Sequence, residues 1–235
     1  IPENQAFIFN VLVQDGTLVA VILYFWKDLW AIGKAFLSGL VQRQPFKDPN
    51  ARMGWYLILA TIPAGLLGIL IKDLVEAAFG SPRFTAIFLL ITAGLLLAAE
   101  RVGKRSRPLE AFTWQDALWM GIAQALAIFP GISRSGATIT GGMLRDLDRP
   151  SAARFSFLMS VPVMLAAGLL ALLDLFELPD LSVMLLPVTV GFLTAAVTGY
   201  LSIRWLLSYL TRRSLAGFAI YCAIAGLVSL VVTFL

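Results

Sequence analysis

The chain has 235 residues, of which 59% are hydrophobic and only 14% are charged, whereas a soluble domain carries roughly 25% charged residues. Its mean hydropathy is +0.86. This composition predicts an all-α polytopic membrane protein and excludes a large catalytic domain outside the bilayer. We interpret the formal net charge of +4 as a record of membrane orientation and not as a nucleic-acid surface.

Several apolar windows are long enough to cross about 30 Å of hydrocarbon as helices. They predict about six transmembrane helices. In chain order they are Phe7–Trp26, Trp55–Ile71, Phe84–Ala99, Phe155–Leu173, Val183–Leu207 and Leu215–Leu235.

A further apolar segment is broken by the motif Pro130–Gly136, which cannot continue a helix. Its two arms, Asp116–Phe129 and Gly136–Leu147, have 14 or fewer residues each and are therefore about 21 Å long or less. Neither arm spans a bilayer comfortably. The segment 113–147 is therefore predicted to be a re-entrant helical hairpin that enters and leaves by the same face.

The distribution of basic residues supports this topology. With the hairpin returning to its own side, 15 of the 18 Lys and Arg residues fall on one face, Lys72 and Arg83 on the other, and Arg134 between them. Cytoplasmic loops carry the excess of Lys and Arg, so both chain termini are predicted to lie outside. Two full short crossings would leave all later loops on the same faces of the membrane, so the re-entrant interpretation depends on the length of the arms.

Weak internal similarity predicts an inverted repeat. The segment Ala86–Leu95 resembles Ala219–Leu227, and Phe7–Phe9 resembles Phe155–Phe157. We therefore expect one repeat over 1–111, with three membrane helices, and a second over 112–235, with the hairpin and three more helices. On this interpretation a first hairpin is missing before Ile1, and a binding site lies near the midplane between the repeats.

Arg134 is the one basic residue predicted at membrane depth, where charge is costly and usually functional. Ser133 and Ser135 flank it, and a half-helix is expected to start at Gly136. Arg134, Ser133 and Ser135 are therefore the predicted catalytic residues of an anion cradle suited to phosphate. The alternative is an Arg that caps carbonyl groups or pairs with an acid. The predicted substrate-binding residues are Gly131, Gly136, Ala137, Thr138 and Gln124.

Polar residues also interrupt the first span. Asn10 and Gln14 share a helix face, and Asp15 lies next to it. Gln14 and Asp15 form either a polar wall of the same site or a polar helix-packing cluster. For Gln124 the same two roles are possible, support of the hairpin tip and helix packing.

The chain contains no histidine, so a Ser-His mechanism cannot be completed from these residues. It also lacks a zinc motif, a Walker A sequence and a dinucleotide fingerprint. Besides hydrolysis of a phosphate-bearing ligand in the membrane, two alternatives remain open: a transporter or flippase for an anionic polyprenyl lipid or phospholipid, and a noncatalytic chain whose anion cradle binds without reacting.

The motif Pro130–Ile139 resembles the bacitracin-resistance (BacA/UppP) family of undecaprenyl-diphosphate phosphatases, as do Gly141–Met143 and Phe155–Pro162. The resemblance implies hydrolysis of undecaprenyl diphosphate at the outer side of the bacterial cytoplasmic membrane, which recycles the lipid carrier of cell-wall synthesis. It also implies a divalent cation, Mg or Ca. The family's Glu-rich and Ser/His motif has no match here, so the metal ligands are unknown and the chain is expected to be incomplete.

Overall fold

The computed structural model describes residues 3–71, 81–176 and 181–233, together with 74, 75 and 78; for residues 3–8, 174–176 and 181–184 only the backbone is described. All regular elements in these residues are helical, apart from one isolated bridge between Arg107 and Leu147. The α-helices are α1 Glu3–Tyr24, α2 Trp26–Val41, α3 Pro49–Leu70, α4 Pro82–Val102, α5 Trp114–Leu126, α6 Arg134–Leu144, α7 Arg149–Phe176, α8 Leu181–Leu210 and α9 Ala216–Val232, with a 3-10 turn at Leu109–Ala111.

Four of these helices, namely α3, α4, α7 and α8, are long and apolar enough to cross a membrane. Helices α1 and α2 pass the same test only as a pair and are bent by 78° with respect to each other. The last helix, α9, is apolar and has 17 residues, which is at the lower limit for a span. The chain is an all-α, multi-pass membrane protein, as its composition predicts.

The first membrane helix differs from its prediction. Helix α1 ends at Tyr24, and α2 follows in a region predicted to be a loop on the basic side. The three charged residues Lys27, Asp28 and Lys34 make this stretch resemble a loop in the sequence. The helix forms nevertheless because its other positions are apolar at helical spacing.

The chain separates into two compact units: residues 1–54 with 158–208, and residues 55–157 with 209–235. The division into repeats at residue 111 concerns internal duplication and stays a prediction. The second unit contains α3 from Trp55 onward, α4, α5, α6, the start of α7, and α9, so it holds the whole segment around Arg134. Within it, α4 packs along α9 and against α6, and α5 packs against α6.

Candidate functional site

The re-entrant segment is a pair of short antiparallel helices joined by a turn. Helix α5 has 13 residues and α6 has 11, which correspond to lengths of about 20 Å and 17 Å. Their two outer ends meet, since Arg145 Nε, just after α6, donates to Asp116 Oδ1 in the first turn of α5 at 2.9 Å. The prediction of two short helical arms joined by a turn is confirmed, and the re-entrant path of the segment through the membrane stays a prediction.

The turn at the tip depends on Gly131. Its φ of 92° lies in the left-handed region that side chains rarely adopt. A Cβ at this position would also overlap the carbonyl group of Thr85 in α4. Phe129, on the other side of Pro130, stacks on Phe88 of α4 at 5.2 Å between ring centroids. Both contacts hold the tip against one face of α4.

Thr92 joins the same face of α4 to the tip. Its side chain is fully buried. Its Oγ1 accepts a hydrogen bond from the backbone N–H of Ser133 at 3.1 Å and lies within donating distance of the carbonyl oxygens of Gly131 and Phe88, at 3.2 Å and 3.0 Å. Because these bonds flank Ile132, they fix the path of the chain directly before Arg134.

Helix α6 begins at Arg134 and not at Gly136, because Ser133 acts as its N-cap. Ser133 Oγ accepts from the N–H of Gly136 at 3.1 Å, and the Ser133 carbonyl accepts from the N–H of Ala137 at 2.8 Å. The predicted helix start is therefore wrong by two residues. The consequence is that Arg134 and Ser135 belong to the first helical turn, where the partial positive charge of the helix is concentrated.

The predicted site residues fall into two groups by burial. Ser133, Arg134 and Ser135 are half-buried, as is Gly131, whereas Gly136, Ala137 and Thr138 are buried. The three predicted catalytic residues are thus more accessible than the buried residues Gly136, Ala137 and Thr138 that follow them. Ser133 Oγ uses a lone pair for the N-cap, which leaves its O–H available as a donor.

Thr138 is committed to packing between helices. Its Oγ1 donates to the carbonyl of Arg134 at 2.8 Å and lies 2.6 Å from Oγ of Ser156 in α7. Direct donation to a phosphate would require it to give up these bonds, so substrate contact by Thr138 stays a prediction. Ser156 is a supporting residue that the sequence reasoning missed.

Gln124 lies in the last turn of α5, and only 2% of its surface is exposed. Neither its amide nitrogen nor its amide oxygen has a hydrogen-bond partner among the described residues. Burying an unpaired amide costs about 1–3 kcal/mol. Its burial near the tip agrees with a role in supporting the tip. Contact of Gln124 with the substrate stays a prediction.

The outer ends of the hairpin are held by a buried carboxylate. Asp116 is fully buried and forms a capping box with Thr113. Its Oδ2 accepts from Arg107 Nη2 at 2.7 Å, and its Oδ1 from Arg145 Nε at 2.9 Å. The backbone N–H of Arg107 donates to the carbonyl of Asp146, and the carbonyl of Arg107 accepts from the N–H of Asp148, both at 2.9 Å. These contacts tie the hairpin to the preceding loop.

The charge of Asp116 is stabilised by these partners. Burial raises the pKa of this carboxyl group, but the hydrogen bonds from Arg107, Arg145 and Thr113 outweigh it and lower the pKa to about 2. The basic residues counted as orientation signals in the sequence therefore also hold the hairpin in place.

A second ionic cluster lies at the end of α4. Glu100 binds Arg105 through Oε2 at 2.8 Å and Arg149 through Oε1 at 2.8 Å, and it accepts from the backbone N–H of Leu215 at 2.7 Å. It thereby links the starts of α7 and α9 to α4. Helix α4 is the helix whose side chains contact the hairpin tip.

The predicted polar wall belongs to the other compact unit. Asn10 and Gln14 of α1 are exposed, and Asp15 is half-buried. The Asp15 carboxylate fits closely against Gly168 of α7, where a Cβ would overlap it. This contact within one unit agrees with helix packing, and the role of Gln14 and Asp15 as a polar wall of the site stays a prediction.

No group of three or more acidic or cysteine side chains comes together in the part of the chain that the structure describes. These residues do not form a metal centre by themselves.

Known proteins are similar to this chain over most of its length. Residues 2–228 match the family described as bacitracin resistance protein BacA. The undecaprenyl-diphosphatase of Thermomicrobium roseum is 41% identical over 231 residues, which cover 95% of this chain and 83% of that protein. The protein of the same name from Rubrobacter xylanophilus is 44% identical over 223 residues, covering 94% and 82%, and that from Methanosphaera stadtmanae is 38% identical over 234 residues, covering 96% and 84%. The chain belongs to the bacitracin resistance protein BacA family.

Proposed function

We propose that this protein is a membrane hydrolase that converts undecaprenyl diphosphate to undecaprenyl phosphate and inorganic phosphate. The observation that carries the proposal is the hairpin tip, where the N-cap Ser133 and the first-turn residues Arg134 and Ser135 form a half-buried cationic site in a chain of this family. Recycling of the lipid carrier of cell-wall synthesis is the corresponding physiological role. The names of the relatives favour hydrolysis over transport.

The tip suits a diphosphate for three reasons. Arg134 offers a planar set of N–H donors that match phosphate oxygens. The Ser133 O–H and the N-terminal end of α6 add donors and partial positive charge beside it. Thr92 and Gly131 fix the backbone on the side of the tip that precedes Arg134, so the donors are positioned before the substrate binds.

Hydrolysis breaks the anhydride P–O bond, while the oxygen of water forms a new bond to the terminal phosphorus. Charge on the transferred phosphoryl group and on the leaving phosphate is stabilised by donors that are already in place. Arg134 and Ser133 act in this way. Ser135 is proposed to contribute its hydroxyl to the same oxygens.

A divalent cation, expected from the resemblance, stays a proposed requirement. The test is phosphate release after treatment with EDTA and after separate return of Mg²⁺ or Ca²⁺. Full activity in EDTA would contradict the requirement.

We further propose that the protein lies in the cytoplasmic membrane with its site open to the outside. Support comes from the segregation of the basic residues, from which the exposed Ser106 is expected to lie on the inner side. In a Cys222→Ala background, a Ser106→Cys variant is expected to react with an impermeant thiol reagent only from the inside. Reaction only from the outside would reverse the orientation.

Phosphate release from undecaprenyl diphosphate tests the activity. The chain is assayed alone and with the N-terminal Glu-rich segment of a BacA relative fused before residue 1, and lipid movement is followed in the same vesicles. Phosphate release by either form supports the hydrolase. Movement of the lipid without phosphate release in both forms would favour a transporter.

A further inference from the structure

Helix α2 follows the first membrane helix at a sharp angle. The two helices are bent by 78°, although hydrogen bonds from Phe25 N–H to Val21 and from Leu29 N–H to Phe25 continue through the bend. A continued crossing requires an angle near 0°, and a direct return through the bilayer requires one near 180°. If α1 crosses with the usual tilt of about 20°, α2 runs roughly along the membrane surface.

One face of α2 packs against its own unit. Ile32 is buried, and the ring of Phe36 fits against Gly54, where a Cβ would lie 2.8 Å from the ring. Gly39 lies close to the backbone of Gln44 and to Ala51. These contacts fix the rotation of the helix about its axis.

The opposite face is apolar and exposed. Trp26, Trp30, Leu37 and Val41 fall within an arc of about 60° at 100° per residue, and each is more than half exposed. The rings of Trp26 and Trp30 stack at 6.1 Å. Such a face is unfavourable in water because its large apolar surface stays hydrated.

Charge identifies what covers this face. Lys27 and Lys34 are exposed along one edge of the apolar arc, and both belong to the basic side of the chain. Tryptophan beside lysine is typical of helices at the boundary between lipid headgroups and acyl chains, where indoles anchor and ammonium groups reach anionic headgroups. The face is also continuous along the chain with α1, whose apolar sequence predicts a membrane helix.

We propose that α2 is an interfacial helix that lies in the inner leaflet boundary and binds anionic phospholipid through Trp26, Trp30, Leu37, Val41, Lys27 and Lys34. The helix is about 24 Å long, so it anchors the inner end of α1 over that distance. The anchoring is independent of the hydrolytic site, which lies in the other compact unit.

Depth measurements on spin labels test the proposal. In a Cys222→Ala background, the single variants Trp30→Cys, Leu37→Cys and Val41→Cys receive a nitroxide label in the full chain, reconstituted in vesicles of phosphatidylcholine and phosphatidylglycerol. Accessibility to oxygen and to a water-soluble nickel complex then gives each label's depth. All three labels are expected at one depth, about 5–10 Å into the boundary.

A matched control is available in α8, a membrane-span candidate. Val190, Val197 and Leu201 have the same spacing as the three α2 positions and are also more than half exposed. Labels there are expected to differ in depth by about 16 Å in total, at 1.5 Å per residue. A similar gradient along α2 would overturn the proposal, as would labels that are accessible only from water.

The role of the lysines has its own test. A Lys27→Glu/Lys34→Glu double variant is expected to shift the Trp30 label toward water in anionic vesicles, whereas Lys27→Arg/Lys34→Arg keeps it in place. An unchanged depth in the glutamate variant would refute binding to anionic headgroups.

Discussion

Thr92 and Ser133 are 41 residues apart in the sequence and are joined by a hydrogen bond of 3.1 Å from the Ser133 backbone to the Thr92 hydroxyl oxygen. Ser133 in turn caps the helix that begins with Arg134. The bond therefore connects a membrane helix to the backbone that carries the proposed anion site. Thr92 acts on the site through this backbone and is a positioning residue.

Replacing Thr92 by Val keeps the shape of the side chain but removes the oxygen. We expect kcat for diphosphate hydrolysis to fall about 10–100-fold, since small displacements of catalytic groups have effects of this size, with a smaller change in KM. Thr92→Ser keeps the oxygen and is expected to retain most of the activity. Equal activity of the Val and Ser variants would show that the bond does not position the tip.

Gly131→Ala tests the backbone of the turn. The left-handed φ and the overlap with Thr85 are expected to lower the free energy of unfolding by about 1–3 kcal/mol. The control is Gly94→Ala in α4, where a Cβ meets nothing within 4 Å and helix propensity predicts a gain of up to about 1 kcal/mol. Thermal unfolding of both variants in detergent compares them, and equal melting temperatures would contradict the account.

Asp116 predicts a specific pH dependence of stability. Its pKa of about 2 in the folded protein lies below the ordinary value of 3.8, so the charged form stabilises the fold. This contribution, about 2 kcal/mol, is fully present well above the unfolded pKa of 3.8 and is lost as the pH falls from about 4 through about 2.

Asp116→Asn is expected to lower the free energy of unfolding at pH 7 by about 3 kcal/mol, because it leaves Arg107 and Arg145 without their carboxylate. Unfolding curves between pH 2 and pH 7 should then lose the part of their dependence below pH 4 that Asp116 contributes. The exposed Glu110→Gln serves as control. An Asn variant with the wild-type stability and pH profile would disprove the role of this cluster.

Gln124→Met separates ligand binding from packing. Since the buried amide has no partner among the described residues, its removal is expected to leave the melting temperature unchanged or to raise it. If Gln124 contacts the substrate, KM rises in the same variant. Unchanged kinetic constants together with unchanged stability would remove Gln124 from the site.

The hairpin was predictable because its signals are local. The motif Pro130–Gly136 ends one helix and starts another, and each arm is too short to cross. The position of the α6 start was missed because the choice between Arg134 and Gly136 depends on whether Ser133 acts as the N-cap, and both assignments fit the sequence. Thr92 was missed because its contacts lie 39 and 41 residues away and no periodicity reports them.

Helix α2 was missed for a different reason. Its charged residues match a cytoplasmic loop in a hydropathy profile, and its apolar arc becomes visible only when the helix and its packed face are known. The paired roles of Arg107 and Arg145 were similarly hidden, because a count of basic residues does not say which of them meets a buried carboxylate.

Arg134 is the centre of the proposed function, and its replacement tests the account most directly. Phosphate release from undecaprenyl diphosphate is compared for wild type, Arg134→Ala and the exposed control Arg204→Ala, with the melting temperature of each protein recorded. We predict that Arg134→Ala loses about 100-fold or more of the turnover while remaining folded, and that Arg204→Ala is unaffected. Turnover of Arg134→Ala close to that of the wild type would contradict the assignment of the site.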